Sequence, residues 1–306
     1  MKTVIRSMAS IIVLLLCGNI YASTYSIPFP NNSLIGKTHY LSTSAGDSAI
    51  TIAKQYDIGF NSIEEANPHL NLTRSFSTNT YVQVPTQHIL PNATRQGIVV
   101  NLPEMRMYYF PAGTHKVLTY PIGIGKVDKT IPITQTVIVK KMENPIWIPT
   151  PSIREFVSRE QGIVLPTIML PGPDNPLGPY AIYTGIQTYL IHSTIFPESI
   201  GKRASFGCLR MFQSDIKEFF YSVKKGIPVE IINSPVKIGW EDDRLYIEVH
   251  QPLREHRKAY DASLPGMVHM ISASSKNRPL LVNWQLVSYL AKQQDGIPHE
   301  IGITIH

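Results

Sequence analysis

The chain has 306 residues, 43% of them hydrophobic and 16% charged, which excludes a disordered polar chain and allows one sizeable core with a small module or two. A formal charge of +6 without a long Lys/Arg run points away from nucleic acid; it suits an anionic envelope surface, or simply a solvated exterior. The 24 prolines and 19 glycines fall between short runs rich in Val, Ile, Thr and Tyr, the punctuation of a mainly β chain with few long helices.

Residues 1–22 have the three parts of a secretory leader: Lys2 and Arg6, the apolar run from Ile11 to Leu16, and small residues at Ala22 and Ser23, with cleavage expected after Ala22. Gly18 and Asn19 interrupt the run well short of the ~20 apolar residues that span a bilayer. Export without a transmembrane anchor is therefore expected, and the bulky Leu16 argues against lipoprotein processing at Cys17. Losing the leader lowers the formal charge to +4 and leaves Cys208 as the one thiol. In an oxidising compartment such a thiol is either a buried structural side chain or one kept for its reactivity.

Residues 38–88 form the next unit. Gly46 and Asp47 mark a turn and helix start, after which Ala49, Ile52, Ala53 and Tyr56 follow helical spacing on one face. A second short helix is expected over Ser62 to Ala66, stopped by Pro68, with flanking strands at His39 to Ser42 and Tyr81 to Val84. This strand-helix-helix-strand order resembles a LysM module. The matching residues are Gly46, Asp47, Ile52, Ala53, Tyr56, Ala66, Asn67, Pro68 and the run Val82 to Pro85. The resemblance implies binding of peptidoglycan or chitin glycan, with Gly46, Asp47, Asn67 and Pro68 as candidates; a packing module without ligand is the alternative.

Pro85 to Gln96 reads as a linker. Strand patterns follow at Ile98 to Leu102 and Met105 to Phe110, read as a hairpin, then at Lys116 to Ile122 and Thr134 to Lys141. A Pro/Gly-rich loop from Asn144 to Gly178 holds a helical piece near Ser152 to Ser158. Strands return at Tyr180 to Thr184 and Tyr189 to Ser193, a helix capped by Ser214 or Asp215 runs toward Gly226, and Pro228 to Ile232 closes the unit. The expected architecture is a mainly β sandwich or open barrel over 96–233 with one or two helices. A C-terminal extension over 234–306 has a strand region at Trp240 to His250 and a helix near Asn283 to Gln293.

The chemistry concentrates in Ile191-His192-Ser193-Thr194 and Ser205-Phe206-Gly207-Cys208-Leu209-Arg210. Cysteine attacks as the thiolate, which is a few per cent of a free thiol at neutral pH, so a nearby base or positive field is needed. His192, at the end of an expected strand, is the candidate base. Gly207 allows close backbone approach, and the amides around Phe206 to Cys208 suit an oxyanion hole. Nothing in the sequence has the spacing of a metal or cofactor motif, and none is expected.

These segments resemble the signature of the L,D-transpeptidases, the YkuD-type family, over about Gln96 to Asn233. Further matches lie at Gln96 to Leu102, Pro121 to Gly125, Asn144-Pro145, Trp147 and Gly172 to Gly178. The resemblance implies that Cys208 is the nucleophile, that His192 accepts and returns the proton, and that Ser193 orients His192 or lines the pocket. Gly207 and Cys208 would supply oxyanion amides, and Arg210 would structure the loop or contact a substrate carboxylate. Phe206 stands where the family often has a second histidine, leaving base chemistry to His192. Trp147, Asp174, Asn175, Gly178 and Tyr183 are candidates for the substrate cleft, with loop shaping or core packing as alternatives.

The implied substrates are stem tetrapeptides of peptidoglycan. Attack by Cys208 would release D-alanine and leave a thioester, resolved by a diaminopimelate amine or by a lysine of an envelope protein. Two alternatives remain at this stage: a peptidoglycan-binding scaffold that has lost catalysis, and a carboxypeptidase or tether hydrolase that gives the thioester to water. The expected location is the periplasm, at the cell wall.

Overall fold

The computed structural model describes residues 23–27, 32–129, 131–261, 263–275 and 278–305. The leader expected over 1–22 lies outside the described residues. In chain order the elements that matter for the site begin with β1 (Ser23–Ser26), followed by β2 (His39–Ser42), α1 (Ala49–Gln55), α2 (Phe60–Ala66) and β3 (Tyr81–Val84). The next part comprises β4 (Gly97–Asn101), β5 (Arg106–Phe110), β6 (Lys116–Pro121), β7 (Thr134–Glu143), α3 (Pro151–Gln161), β8 (Tyr180–Thr184), β9 (Leu190–Ser193), β10 (Leu209–Met211), α4 (Gln213–Ser222) and β11 (Pro228–Ile232). The chain ends in β12 (Val236–Glu241), β13 (Arg244–Val249), α5 (Leu264–Ser275), β14 (Leu280–Val282), α6 (Trp284–Gln293) and β15 (His299–Thr304).

One nine-stranded sheet in the order β1-β6-β5-β4-β11-β7-β8-β9-β10 organises the molecule. The expected mainly β architecture with few helices takes the form of one mixed open sheet. Gly97 to Asn101 is buried on both faces and pairs in parallel with β11, which explains a continuous apolar run in place of polar alternation. Ile98 and Val100 point into the core beneath α4, where they join Phe219 and Ile216. Val99 points the other way, toward Tyr108, Phe110 and Val117.

Helix boundaries differ from the sequence reading where a cap was misjudged. Ser48, not Gly46 or Asp47, caps α1, in a reciprocal pair with Thr51. Helix α4 starts at Gln213 after Phe212 without a side-chain cap, and it ends at Ser222, before Gly226. Neither Ser214 nor Asp215 is the cap; Asp215 is buried in the first turn. Helix α3 is longer than expected, fixed by Thr150 at its start and by Gly162 in the left-handed conformation at its end.

Strands β2 and β3 pair antiparallel around α1 and α2, and this unit has its own core of Ile52, Ile58, Ile63, Val82 and Val84. The stretch read as a linker is built in: His88–Ile89 pairs with Leu34–Ile35, and Leu90 is buried. The unit rests on the connection between β9 and β10 through Phe60 N–H to Ile200 O at 3.1 Å and Asn61 N–H to Gly201 O at 3.2 Å. A side chain at Gly201 would block that seat, since its Cβ would lie 2.2 Å from Phe60 N.

The C-terminal extension is a four-stranded sheet, β12-β13-β15-β14, with α5 and α6 packed over Leu245, Ile247 and Ile301. Helix α5 had no counterpart in the sequence reading. All three parts meet at a buried ionic cluster. Lys237 Nζ lies 2.9 Å from Glu104 and 2.8 Å from Glu248, while His250 bonds Glu248 at 2.8 Å and Glu65 at 3.0 Å. Burial opposes charge on Glu248, but Lys237 and the neighbouring histidines hold it well below the usual carboxylate range. Burial pushes His88 down to about 4. His88, Glu104 and Glu248 have the makings of a metal trio, but the Lys237 ammonium already lies against both carboxylates.

Candidate active site

Parallel pairing of β9 with β10 sets the site. His192 is directly opposite Arg210, and Cys208 precedes β10 by one residue. Side chains two apart on a strand share a face, so Cys208, Arg210 and His192 project to one side. On the neighbouring strand Tyr183 is opposite Leu190, whose N–H reaches the Cys208 thiol. This register places Tyr183 beside Cys208, whose field contributes to the raised Tyr183 pKa after burial.

Cys208 is half-buried, and its Sγ lies 3.7 Å from Thr188 O. Burial pushes the thiol up, outweighing the Leu190 amide and Arg210, which pull it down. His192 is held down to about 4, first by burial and then by Arg210. The resting pair is a neutral thiol near a neutral imidazole. Its tautomer follows from a hydrogen bond: Nδ1 contacts the Ser193 carbonyl, which only accepts, so Nδ1 carries the proton and Nε2 keeps its lone pair. Among the described residues no hydrogen bond joins His192 to Cys208, a common looseness before substrate draws two groups together.

Backbone geometry just before Cys208 is tight. Gly207 has φ +116, and a Cβ there would lie 2.5 Å from Tyr189 Cε1. Its N–H, expected as an oxyanion donor, instead donates to Ser205 Oγ at 3.0 Å, and Ser205 Oγ donates to Cys208 O at 2.6 Å. Ser205 thus fixes the elbow, leaving the Cys208 amide as the oxyanion candidate of the pair. Ser193 Oγ donates to Leu177 O at 2.8 Å and accepts from Tyr180 N at 3.1 Å, tying the loop end to β9. A Cβ on Gly178 would lie 2.5 Å from that hydroxyl.

The remaining candidates divide by exposure and bonding. Asn175 is buried and staples the 144–178 loop, with Nδ2 to Pro145 O at 2.9 Å and Leu177 N to its Oδ1 at 3.0 Å. Trp147 is half-buried and pairs by backbone with Met169. Asp174 is exposed on the same loop. In the N-terminal unit Gly46 and Pro68 are exposed, and Asp47 is half-buried with its Oδ2 accepting from Ser44 N at 2.7 Å. Asn67 is not: its amide is fully used, to Ile63 O at 2.9 Å, to Gln83 O at 2.8 Å and from Gln83 N at 2.8 Å. It cannot offer the amide to a glycan without breaking the join between α2 and β3.

Phe206 packs edge-on against Phe156 of α3, with centroids 5.1 Å apart, and Lys126 Nζ sits 4.1 Å from the Phe156 ring and 5.0 Å from that of Phe206. Phe206 therefore ties the segment before Cys208 to α3. Sequence reasoning missed Lys126, Phe156, Thr188 and Tyr189, because no local pattern joins positions so far apart in the chain. Arg210 carries a further signal: its Nε is buried without an acceptor among the described residues. A buried guanidinium edge without a partner suits a carboxylate.

The YkuD family, an L,D-transpeptidase catalytic domain, matches residues 95–231. The chain is 41% identical over 291 residues to the probable L,D-transpeptidase YcfS of Escherichia coli (strain K12), covering 92% of this chain and 88% of that protein. It is 39% identical over 245 residues to the probable L,D-transpeptidase ErfK/SrfK of Salmonella typhimurium, covering 79% and 78%. It is likewise 39% identical over 241 residues to the probable L,D-transpeptidase YbiS of Escherichia coli (strain K12), covering 78% of each chain. Identity at this level along most of each relative establishes that the chain belongs to the L,D-transpeptidase family and is an L,D-transpeptidase enzyme with a YkuD-type catalytic domain.

Proposed function

We propose that the enzyme acts through Cys208 on tetrapeptide stems of peptidoglycan in the periplasm, forming a thioester that an amine resolves. The observation that carries this reading is the strand register that brings Cys208, Arg210 and His192 to one face, with Tyr183 at its edge. As Sγ attacks the carbonyl of the L-centre at position three, its proton passes to His192 Nε2. The Cys208 amide receives the developing oxyanion, an interaction of about 3 kcal/mol when such a donor is well placed. His192 then returns the proton to the departing D-alanine nitrogen. The incoming amine reverses the sequence, giving an amide and the free thiol. Arg210 Nε binds a stem carboxylate, since it is buried and without an acceptor. None of these steps needs a metal or cofactor.

The acceptor is an amine of diaminopimelate or of an envelope-protein lysine. The N-terminal unit is a LysM-like glycan-binding module that holds the catalytic sheet against the wall. Its glycan face is formed by Gly46, Asp47 and Pro68 together with Tyr40 and Tyr81, both largely exposed on the β2–β3 pair. Incubation of the leader-free protein with a tetrapeptide muropeptide and a diaminopimelate or lysine amine should release D-alanine and give one new linkage. Absence of product, or equal product from Cys208→Ala, would overturn the reading. Release of D-alanine that ignores added amine would identify a hydrolase instead.

A further inference from the structure

Strand β1 runs at the edge of the large sheet, Ser23 opposite Thr119, and its first residue ends on a carboxylate rather than in solvent. Ser23 N donates to Asp57 Oδ2 at 2.9 Å, and the Ser23 side chain reaches the same carboxylate. Asp57 is buried and shares a hydrogen bond with Asp215, itself buried in the first turn of α4. Among the described residues two oxygens of this pair, Asp57 Oδ1 and Asp215 Oδ2, have no other donor, and the nearby Tyr120 hydroxyl is also buried without a partner. Arg106 is the cation close by, but its guanidinium is committed elsewhere: Nη1 to Thr119 Oγ1 at 2.9 Å, Nη2 to Asp57 main-chain O at 3.3 Å, and Nε 3.9 Å from Glu104. Glu218 adds negative field from one turn along α4. Two buried carboxyl groups and a third nearby thus share part of one guanidinium, which is costly with only a neutral amide at Ser23.

We propose that hydrolysis of the Ala22–Ser23 bond completes this cluster: the released Ser23 α-ammonium, half-buried at the sheet edge, is the counter-ion of Asp57 and Asp215. In that step a leader peptidase and water leave Ala22 as a carboxylate on the departing peptide, and the Ser23 nitrogen takes up protons to become a cation. Only a chain starting at Ser23 has the charge at this spot. The position matters for the site, because α4 begins two residues after β10, the strand that follows Cys208 and carries Arg210. A firm first turn of α4 holds the end of that strand, so maturation at the edge of the sheet supports the catalytic segment from behind. The cleavage step rests on the export reading; the charge pairing does not.

The two parts are tested separately. Protein recovered from the cell envelope should have the intact mass of residues 23–306. A different first residue overturns the proposal, whereas a retained leader also overturns the export reading. In vitro, protein released by a protease that cuts directly before Ser23 is compared with the same chain retaining residues 20–22, and with Nα-acetylated Ser23. The free amine should raise Tm by about 5 °C or more, the scale of losing a buried charge partner in a domain of this size. Carbapenem acylation of Cys208 should be faster in the free-amine form, and Asp57→Asn should erase both differences. Equal melting of free and blocked chains, or a difference that survives Asp57→Asn, overturns the pairing. Should that variant not fold, an NMR titration of isotope-labelled Ser23 decides: its amine should titrate above the ordinary value of about 8, and a lower value overturns the pairing.

Discussion

Replacement of His192 by Ala tests the electrostatics of the site directly. Burial, then Arg210, hold His192 down to about 4, so its imidazole is neutral and able to accept a proton throughout the neutral range. Burial pushes the Cys208 thiol up. At an ordinary pKa of about 8.5 only about 3% of a thiol is ionised at pH 7, and Cys208 lies below that fraction. General-base catalysis is worth about 10²–10⁴. Acylation by a carbapenem, followed by intact mass, should therefore fall by roughly 10²–10⁴ at pH 7 in His192→Ala. The variant can react only through pre-formed thiolate, so its rate should climb about tenfold per pH unit up to pH 9, while the wild-type rate stays level from about pH 5 to 8. A level profile in the variant would reveal another base. A wild-type acid limb near pH 6.5 would show that His192 titrates as if exposed. Either result refutes the neutral-pair account.

Gly207→Ala should lower the melting temperature by roughly 2–10 °C and slow acylation at least about 100-fold, because the added Cβ, 2.5 Å from Tyr189 and at φ +116, must displace the elbow that carries the thiol. Lys237→Met leaves Glu104 and Glu248 without the ammonium between them, at a cost of about 3–5 kcal/mol, which calorimetry should read as a Tm drop of roughly 6–20 °C. A drop of only a degree or two would show that the cluster contributes specificity rather than stability. His250 is pushed up to about 10 by Glu248 and Glu65 against its own burial, so it binds its proton more tightly folded than unfolded. Its stabilisation is complete below the unfolded value of about 6.5 and is lost as pH rises through about 10. Urea unfolding of His250→Gln should accordingly be less alkali-sensitive than that of the wild type.

Tertiary contacts explain where the sequence reading went astray. Ser214 and Asp215 look like caps because short polar side chains usually serve that role at a helix start, but Asp215 is drawn inward by Asp57, a residue 158 positions earlier on a different unit. Pro85 to Gln96 looks like a tether because its composition is loop-like, yet Ile89 and Leu90 bury themselves between the three parts. Gly207 was expected to donate to an oxyanion because glycine allows close approach. Its amide is instead taken by Ser205, an alternative invisible without the turn geometry. Helix α5 escaped notice because Pro265 and Gly266 lie in its first turn and break the pattern used to find helices.

By itself the sequence determined the strands that bear the site, since alternation and turn residues are local, and it determined the pairing of Cys208 with His192 as candidates, since both lie in one short signature. Only the tertiary structure decided their electrical state. Burial, which keeps thiol and imidazole neutral, and the Arg210 charge, which favours the neutral imidazole but pulls the thiol toward the thiolate, depend on strands paired in space. The same holds for Phe206, whose packing partners Lys126 and Phe156 are 80 and 50 positions away, and for Ser23, whose carboxylate partner comes from the unit that follows it. Desolvation and Coulomb energy are set by distances through space, and distance along the chain does not report them.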